Sequence, residues 1–405
     1  MSTGSLDKLA RLAGADTPPP RWLYNNRWPG RTRKLLQIAY SLLSWLTARG
    51  NFLTLKGERL TATSGHVEAF STASLSIVAQ GALVLRKASL SHLANELAID
   101  PATSTRTYLA DADVLVVLAT RNNTPVVIHV ADDQMRGDRY RQGSEWAREA
   151  FSRSGNDHLI PRIIDYRKHP VGWMLTQQRL PGRMIRAGSL SADALVAHVS
   201  AAINALPASN PTGTCQSNHA GRKITFTPGL FLSLLENNHL RTFVQEPIKR
   251  IEAWLSSAQF ETTTAHRDYC FSNVLFSEES ASTPVITGIV DWERAGLGAP
   301  VGEDALYFAA FAFAHWRGCS PMTVLCMIWD GVQEPTLERM LDMVRTRFKL
   351  TELALGHLSI YLWLSHLVRQ TDGISRWTEM NRLEWLLQPS QSARIWMEKN
   401  PLSET

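Results

Sequence analysis

The sequence predicts an α+β protein of two lobes, a small antiparallel-sheet N-lobe and a mainly helical C-lobe, preceded by an N-terminal helical extension. Three observations carry this. The chain has 405 residues, more than one hydrophobic core of about 250–300 residues accommodates. Between residues 104 and 177 short apolar runs follow in strand–strand–helix–strand–strand order, which suits a small twisted sheet with one helix against it. From residue 184 onward the pattern is mainly helical. The boundaries that follow are 1–100 for the extension, 101–182 for the N-lobe and 183–405 for the C-lobe.

Residues 1–30 read as a loose leader punctuated by Pro18, Pro19, Pro20 and Pro29-Gly30. An amphipathic helix is expected over 33–49, with Leu35, Leu36, Ile38, Ala39, Leu42, Leu43, Trp45 and Leu46 on one half and Gly50 closing it. The first 60 residues carry ten Lys/Arg against three Asp/Glu, a balance of +7, whereas the rest of the chain stands at −2. The net charge of +5 therefore belongs to the extension. Two readings of this helix stand side by side. It docks on the body of the protein, or residues 31–49, with Trp22, Trp28 and Trp45 among basic residues, make a peripheral contact with an anionic membrane. No nucleic-acid-binding signature accompanies the basic residues, so no nucleic acid is expected as a partner. A composition of 44% apolar and 20% charged residues excludes a disordered chain, a collagen and a disulfide scaffold. Cys215, Cys270, Cys319 and Cys326 lack CxxC spacing and read as reduced thiols. The absence of a secretory leader pattern gives a cytoplasmic expectation, peripheral on the inner face of a membrane if the helix binds lipid.

Residues 51–100 are mixed and polar, with a helix expected over 91–99 and no assigned role. TYLADADVLVVLAT and TPVVIHVAD read as strands joined by a turn at Arg121-Asn122-Asn123. A helix over 140–153, a turn at Pro161 and strands over 162–166 and 171–177 follow. Segments 305–316 and 353–368 are apolar nearly all round and read as buried core helices.

The strongest chemical signal is HRDYCFSNVLF, His266–Phe276, followed by GIVDWERAG, Gly288–Gly296. Asp268 and Asn273 are five apart, and Asp291 lies eighteen beyond Asn273. Strands at Val274–Phe276 and Ile286–Val290 would bring Asp268, Asn273 and Asp291 to one mouth. Phosphoryl transfer needs such a set. One carboxylate orients the attacking hydroxyl and accepts its proton, while an amide oxygen and a second carboxylate hold the magnesium that neutralises the phosphate.

These segments resemble the aminoglycoside phosphotransferase and choline kinase-like family, a branch of the protein-kinase-like fold. The catalytic loop of that family is usually H-G-D-x-x-x-x-N and that of protein kinases H-R-D-x-x-x-x-N, and here it is His266-Arg267-Asp268 to Asn273; the family's metal segment, I-D-W-E or I-D-F-E, is similar to Val290-Asp291-Trp292-Glu293. Pro300 and Glu303-Asp304-Ala305-Leu306 look like its downstream acidic element, in which the carboxylate is structural. Met174–Arg183 looks like its hinge. The resemblance covers roughly residues 104–390. It implies a two-lobed fold with ATP and magnesium as cofactors. His266, Arg267 and Asp268 become the catalytic residues, with Asp268 as the base and Asn273 and Asp291 as the metal ligands. His129, Glu149, Gln178 and Leu180 become the nucleotide-binding residues.

The chain departs from this family at two points. His129, in Val126–Val130, stands where the family has a phosphate-binding lysine, and Glu149, or alternatively Glu145, stands at the helix glutamate. A carboxylate beside His129 would keep the imidazole charged; otherwise His129 is a plain strand residue. The turn Asp111-Ala112-Asp113 is acidic where a glycine-rich loop would cradle phosphate. The C-lobe acids Glu303, Asp304, Asp330, Glu334, Glu338 and Asp342 are balanced by arginines. The expected substrate is therefore a hydroxyl-bearing small molecule, a sugar or glycoside, and not a polycation. The expected activity is ATP- and Mg-dependent small-molecule O-kinase. The alternative is a catalytically weak or inactive nucleotide-binding regulatory protein of the same fold.

Overall fold

The computed structural model describes residues 52–56, 59–63, 106–109, 114–131, 133–169, 172–207, 238–257, 262–277, 284–370 and 383–401. The expected helices over 33–49 and 91–99, and the turn Asp111-Ala112-Asp113, lie outside them. Two compact units divide the chain, one formed from residues up to Gln142 with Pro161–Arg179, the other from Gly143–Ile160 with the chain from Leu180 on.

The first unit is an antiparallel sheet of β1 (Phe52–Lys56), β2 (Arg59–Thr63), β3 (Arg106–Leu109), β4 (Val114–Arg121), β5 (Thr124–Ala131), β6 (Ile163–His169) and β7 (Gly172–Gln178), in the order β1-β2-β3-β4-β5-β7-β6. β4 and β5 pair from Val114↔Ala131 to Arg121↔Thr124. The two residues between them, Asn122 and Asn123, both have positive φ, 49° and 60°. That is the hairpin turn whose twist matches the strands, and Asn tolerates it. Central β5 is buried from Ile128 to Ala131. α1 (Gln134–Ser152) follows, its first turn closed by Asp133, whose Oδ1 accepts from the Arg136 N–H at 2.9 Å. The helix thus starts six residues before the expected Tyr140, because its first turns are polar and escape an apolar-period reading. Tyr140 packs with Ala131 and Leu175, and Val116, Ile163 and Tyr166 pack against them.

β1 and β2 are additions to the expectation. Phe52–Lys56 pairs with Arg59–Thr63 across Gly57-Glu58, and β2 continues onto β3. The strand expected as one run from Thr107 is two, β3 and β4, paired from Arg106↔Leu118 to Leu109↔Leu115.

The second unit is mainly helical: α2 (Ala192–Ala205), α3 (Asn238–Ser257), α4 (Glu303–Arg317), α5 (Pro321–Asp330), α6 (Pro335–Phe348), α7 (Glu352–Gln370) and α8 (Gln388–Lys399). Two small antiparallel ribbons sit within it, β9 (Val274–Phe276) with β10 (Ile286–Ile289), and β8 (Thr262–Ala265) with β11 (Gly296–Pro300). α4 and α7 are buried as their composition predicts, and Trp363, Phe308, Phe313 and Tyr269 are fully buried. Each such side chain removed from water is worth about 1.5–3 kcal/mol. The helix ends are chemically defined. The Ser320 side chain caps α5 ahead of Pro321, Glu334 accepts from Thr336 N–H and Leu337 N–H ahead of Pro335, and Gly318 and Gly331 close α4 and α5 in left-handed conformation. Among the described residues no helix is long and apolar enough to cross a membrane, and Cys270, Cys319 and Cys326 are free thiols.

Candidate active site

The loop from His266 to Asn273 joins β8 to β9. It is built from the outside inward. α4 meets it with its first turn. The Asp304 carboxylate accepts the His266 N–H at 2.6 Å and the Arg267 N–H at 2.9 Å, one bond to each oxygen. Burial and the neighbouring Glu303 push the Asp304 carboxyl up to about 7, against the two hydrogen bonds that pull it down. This is the structural role that the acidic element of the sequence predicted. Held this way, Arg267 adopts φ 64°, a left-handed conformation that costs a non-glycine residue roughly 1–2 kcal/mol. Its guanidinium lies over Gly296, where a Cβ would come within 2.4 Å of it.

His266 is fully buried. Its Nε2 bonds the Val290 carbonyl at 2.8 Å, and its Nδ1 faces the Asp268 N–H at 3.3 Å. A carbonyl can only accept and an N–H can only donate, so the ring is neutral with its proton on Nε2. Burial holds its pKa below the ordinary histidine value. His266 thereby ties the loop carrying Asp268 to the strand that leads into Asp291.

Asp268 is half-buried. The Tyr307 hydroxyl donates to its Oδ1 at 3.0 Å, and Asn273 Nδ2 donates to its main-chain oxygen at 2.8 Å and to Oδ2 at 3.4 Å. Both acceptors of that amide group fix its orientation and turn Asn273 Oδ1 away from Asp268. Asn273 also accepts the Val290 N–H on its own carbonyl at 2.9 Å, which seats it one residue from Asp291 across the β9–β10 ribbon. Asp291 is exposed, at φ 69° and ψ 55°. Trp292 behind it is buried, donates its indole N–H to the Ile289 carbonyl and lies 4.4 Å from the His266 ring. Arg294 completes the site, its charge reinforced by Asp268, Glu293, Tyr307 and Asp291 despite partial burial.

The structure thus brings together His266, Arg267, Asp268, Asn273 and Asp291, and adds Tyr307, which no motif had flagged. The signal was its spacing. Tyr307 lies three residues after Asp304, so the helix presents both to the same loop. Asn273 Oδ1 and the Asp291 carboxylate are hard oxygen donors of the type magnesium takes, and magnesium is held by one or two protein groups with phosphate and water completing its shell. Among the described residues no cluster of three or more His, Cys, Asp or Glu could hold a metal alone.

In the first unit His129 is buried in β5, paired with Val116 and Leu175 and 4.7 Å from the Tyr140 ring. Burial lowers its pKa to about 4, against a hydrogen bond with Gln177 that raises it. The imidazole is therefore neutral near pH 7, and the charged form considered from the sequence does not hold. Glu149 is exposed and accepts from Arg153, just past the end of α1, at 3.1 Å, an i,i+4 pair. Gln178 spends its N–H on the Arg162 carbonyl at 2.8 Å. Leu180 is buried, its side chain packed where a Cβ on Gly288 would fall.

Residues 75–340 match the phosphotransferase enzyme family, abbreviated APH. The chain belongs to this family. The match begins ahead of β3 and ends within α6, so it contains every residue of the site just described. Solved structures with a related backbone include the apo form of a thermostable mutant of aminoglycoside phosphotransferase APH(4)-Ia, at 15% identity over 74% of this chain and 96% of that one, with a TM-score of 0.46. Aminoglycoside phosphotransferase APH(3'')-Id from Streptomyces rimosus matches at 16% identity over 64% and 91%, TM-score 0.43. Amicoumacin kinase hAmiN in complex with AMP-PNP, Ca2+ and Ami matches at 13% identity over 72% and 88%, TM-score 0.44. A comparison with curated proteins returns no match.

Proposed function

We propose that this phosphotransferase moves the γ-phosphoryl group of ATP, with magnesium, to a hydroxyl of a small molecule. The observation that carries the reading is the double hold on Asp268, by Tyr307 on one oxygen and Asn273 on the other, in a loop clamped by Asp304. A carboxylate so fixed is oriented to accept a hydroxyl proton, and orientation with charge stabilisation is most of what phosphoryl transfer asks of a protein. Asp268 takes the proton of the acceptor hydroxyl. Asn273 Oδ1 and Asp291 would hold magnesium, which supplies positive charge at the phosphate oxygens. His266 is a positioning residue, since both ring nitrogens are engaged with the backbone, and Arg267 shapes the loop through its left-handed backbone. For the nucleotide, His129, Glu149, Gln178 and Leu180 remain the proposed contacts. Neutral His129 offers phosphate a hydrogen bond and no charge.

The test is ATP consumption with magnesium against a panel of hydroxyl acceptors, alongside melting curves with Mg-ATP, since a ligand of the folded state raises its melting point. Asp268→Asn should abolish turnover and leave nucleotide stabilisation in place. Turnover unchanged in Asp268→Asn, or no stabilisation by any magnesium nucleotide, rejects the proposal.

One observation favours a second reading, a weakly active or inactive nucleotide-binding regulator: His129, the residue matched by resemblance to the family's phosphate-binding lysine, is buried and neutral. Under that reading His129→Lys creates activity that the wild type lacks.

A further inference from the structure

The acceptor's chemistry can be read from the far side of Tyr307, an inference that rests on the phosphotransfer reading above. Tyr307 is the first of a run of aromatic rings. Phe311 stacks on it with centroids 3.9 Å apart and planes 15° from parallel. His366 of α7 lies 6.1 Å from Phe311, and Trp385 meets His366 edge-on at 5.6 Å and 82°. α4 is buried at every position from Glu303 to Ala314 except Phe311. One aromatic ring is thus left partly exposed on an otherwise buried helix, about 6 Å along the axis from the ring that holds Asp268. His366 and Trp385 are also partly exposed. Trp385 is delivered by a π-helical turn, Leu383–Leu387. Such turns are rare and concentrate at functional sites.

Four of the C-lobe carboxylates that a polycation would call on are engaged in holding the fold. Asp304 clamps the loop, Glu334 caps α6, Asp330 accepts the Ser392 hydroxyl at 3.2 Å and Asp342 pairs with Arg345. Arg294 adds a cation beside Asp268. We propose that Phe311, His366 and Trp385 form the acceptor subsite, and that it takes a hydroxyl compound bearing a flat aromatic ring, of the aryl glycoside type, and not a polycationic aminoglycoside. Offset stacking on Phe311 holds the ring, and the hydroxyl end reaches Asp268.

The probes are the 4-nitrophenyl glycosides of glucose, galactose and N-acetylglucosamine, their methyl counterparts, and kanamycin, used on the full chain with Mg-AMP-PNP. Ligand-observed NMR reads binding independently of turnover. At least one aryl glycoside should bind about tenfold more tightly than its methyl counterpart, with saturation strongest on its ring protons. Phe311→Leu and Trp385→Ala should each weaken it by about tenfold while the melting curve stays cooperative, and Phe311→Tyr should restore it. Equal binding of methyl and aryl forms, tighter binding of kanamycin, no binding of any aryl glycoside, or unchanged binding in folded Phe311→Leu overturns the proposal. Ring-mediated binding with no phosphate transfer when Mg-ATP replaces Mg-AMP-PNP upholds the subsite and counts against the phosphotransfer reading instead.

Discussion

Tyr307 donates its hydroxyl to Asp268 at 3.0 Å from one turn beyond Asp304, the residue that holds the backbone of the same loop. One helix therefore fixes the loop through main-chain bonds and aims its carboxylate through a side-chain bond. The two contacts have separable consequences.

Tyr307→Phe removes only the aiming bond. A hydrogen bond to a charged group is worth about 1.5–3 kcal/mol, so kcat should fall roughly ten- to a hundredfold. KM for ATP should hardly move, and the melting temperature should fall by no more than that one bond accounts for, because the ring and its stack on Phe311 are kept. Steady-state kinetics against ATP separate these outcomes.

Asp304→Asn removes the clamp. An amide can accept one of the two N–H groups but turns its own N–H2 toward the other, leaving a buried donor unsatisfied at about 1–3 kcal/mol. Stability to urea should drop by that amount, and activity should fall with it, since Arg267 loses what holds it in its left-handed conformation.

His129 predicts a pH dependence. Its folded pKa, about 4, lies below the unfolded value near 6.5. Between these values the unfolded chain binds a proton that the folded chain does not, so the contribution is present above pH 6.5 and is lost as the pH falls toward 4. The loss between pH 7 and pH 4 should be roughly 3 kcal/mol. Urea titrations of wild type and His129→Leu at both values check it, and the variant should lose less stability on acidification.

Much of this was legible in the sequence because it is local. The turn at Asn122-Asn123, the apolar helices and the HRD-to-N and DWE segments each declare themselves within a dozen residues. β1 and β2 did not. FLTLK and RLTAT are five-residue alternations broken by charge, and only Gly57-Glu58 between them marked a hairpin. The neutrality of His129 was unreadable because it depends on strands packed on both sides of β5. Tyr307 was missed because its meaning comes from what the helix faces, which only the folded loop supplies.

Gly143 gives the sharpest test of packing behind the site. It lies inside α1, where Ala is ordinarily better than Gly by about 1 kcal/mol. Here a Cβ would fall 1.9 Å from the Trp292 carbonyl oxygen and 2.9 Å from its carbon. Both atoms are backbone, so no side-chain rotation relieves the clash. Trp292 is itself pinned by Ile289 and packed edge-on against Phe151 of the same helix. Gly143→Ala should therefore destabilise by about 2 kcal/mol, reversing the sign that helix propensity alone gives. The displaced segment carries Asp291, so the variant should also need more magnesium for half-maximal turnover. A chemical melt and a magnesium titration of the same variant read the two effects, and a stabilised Gly143→Ala protein would show that Trp292 does not pack against α1 in this way.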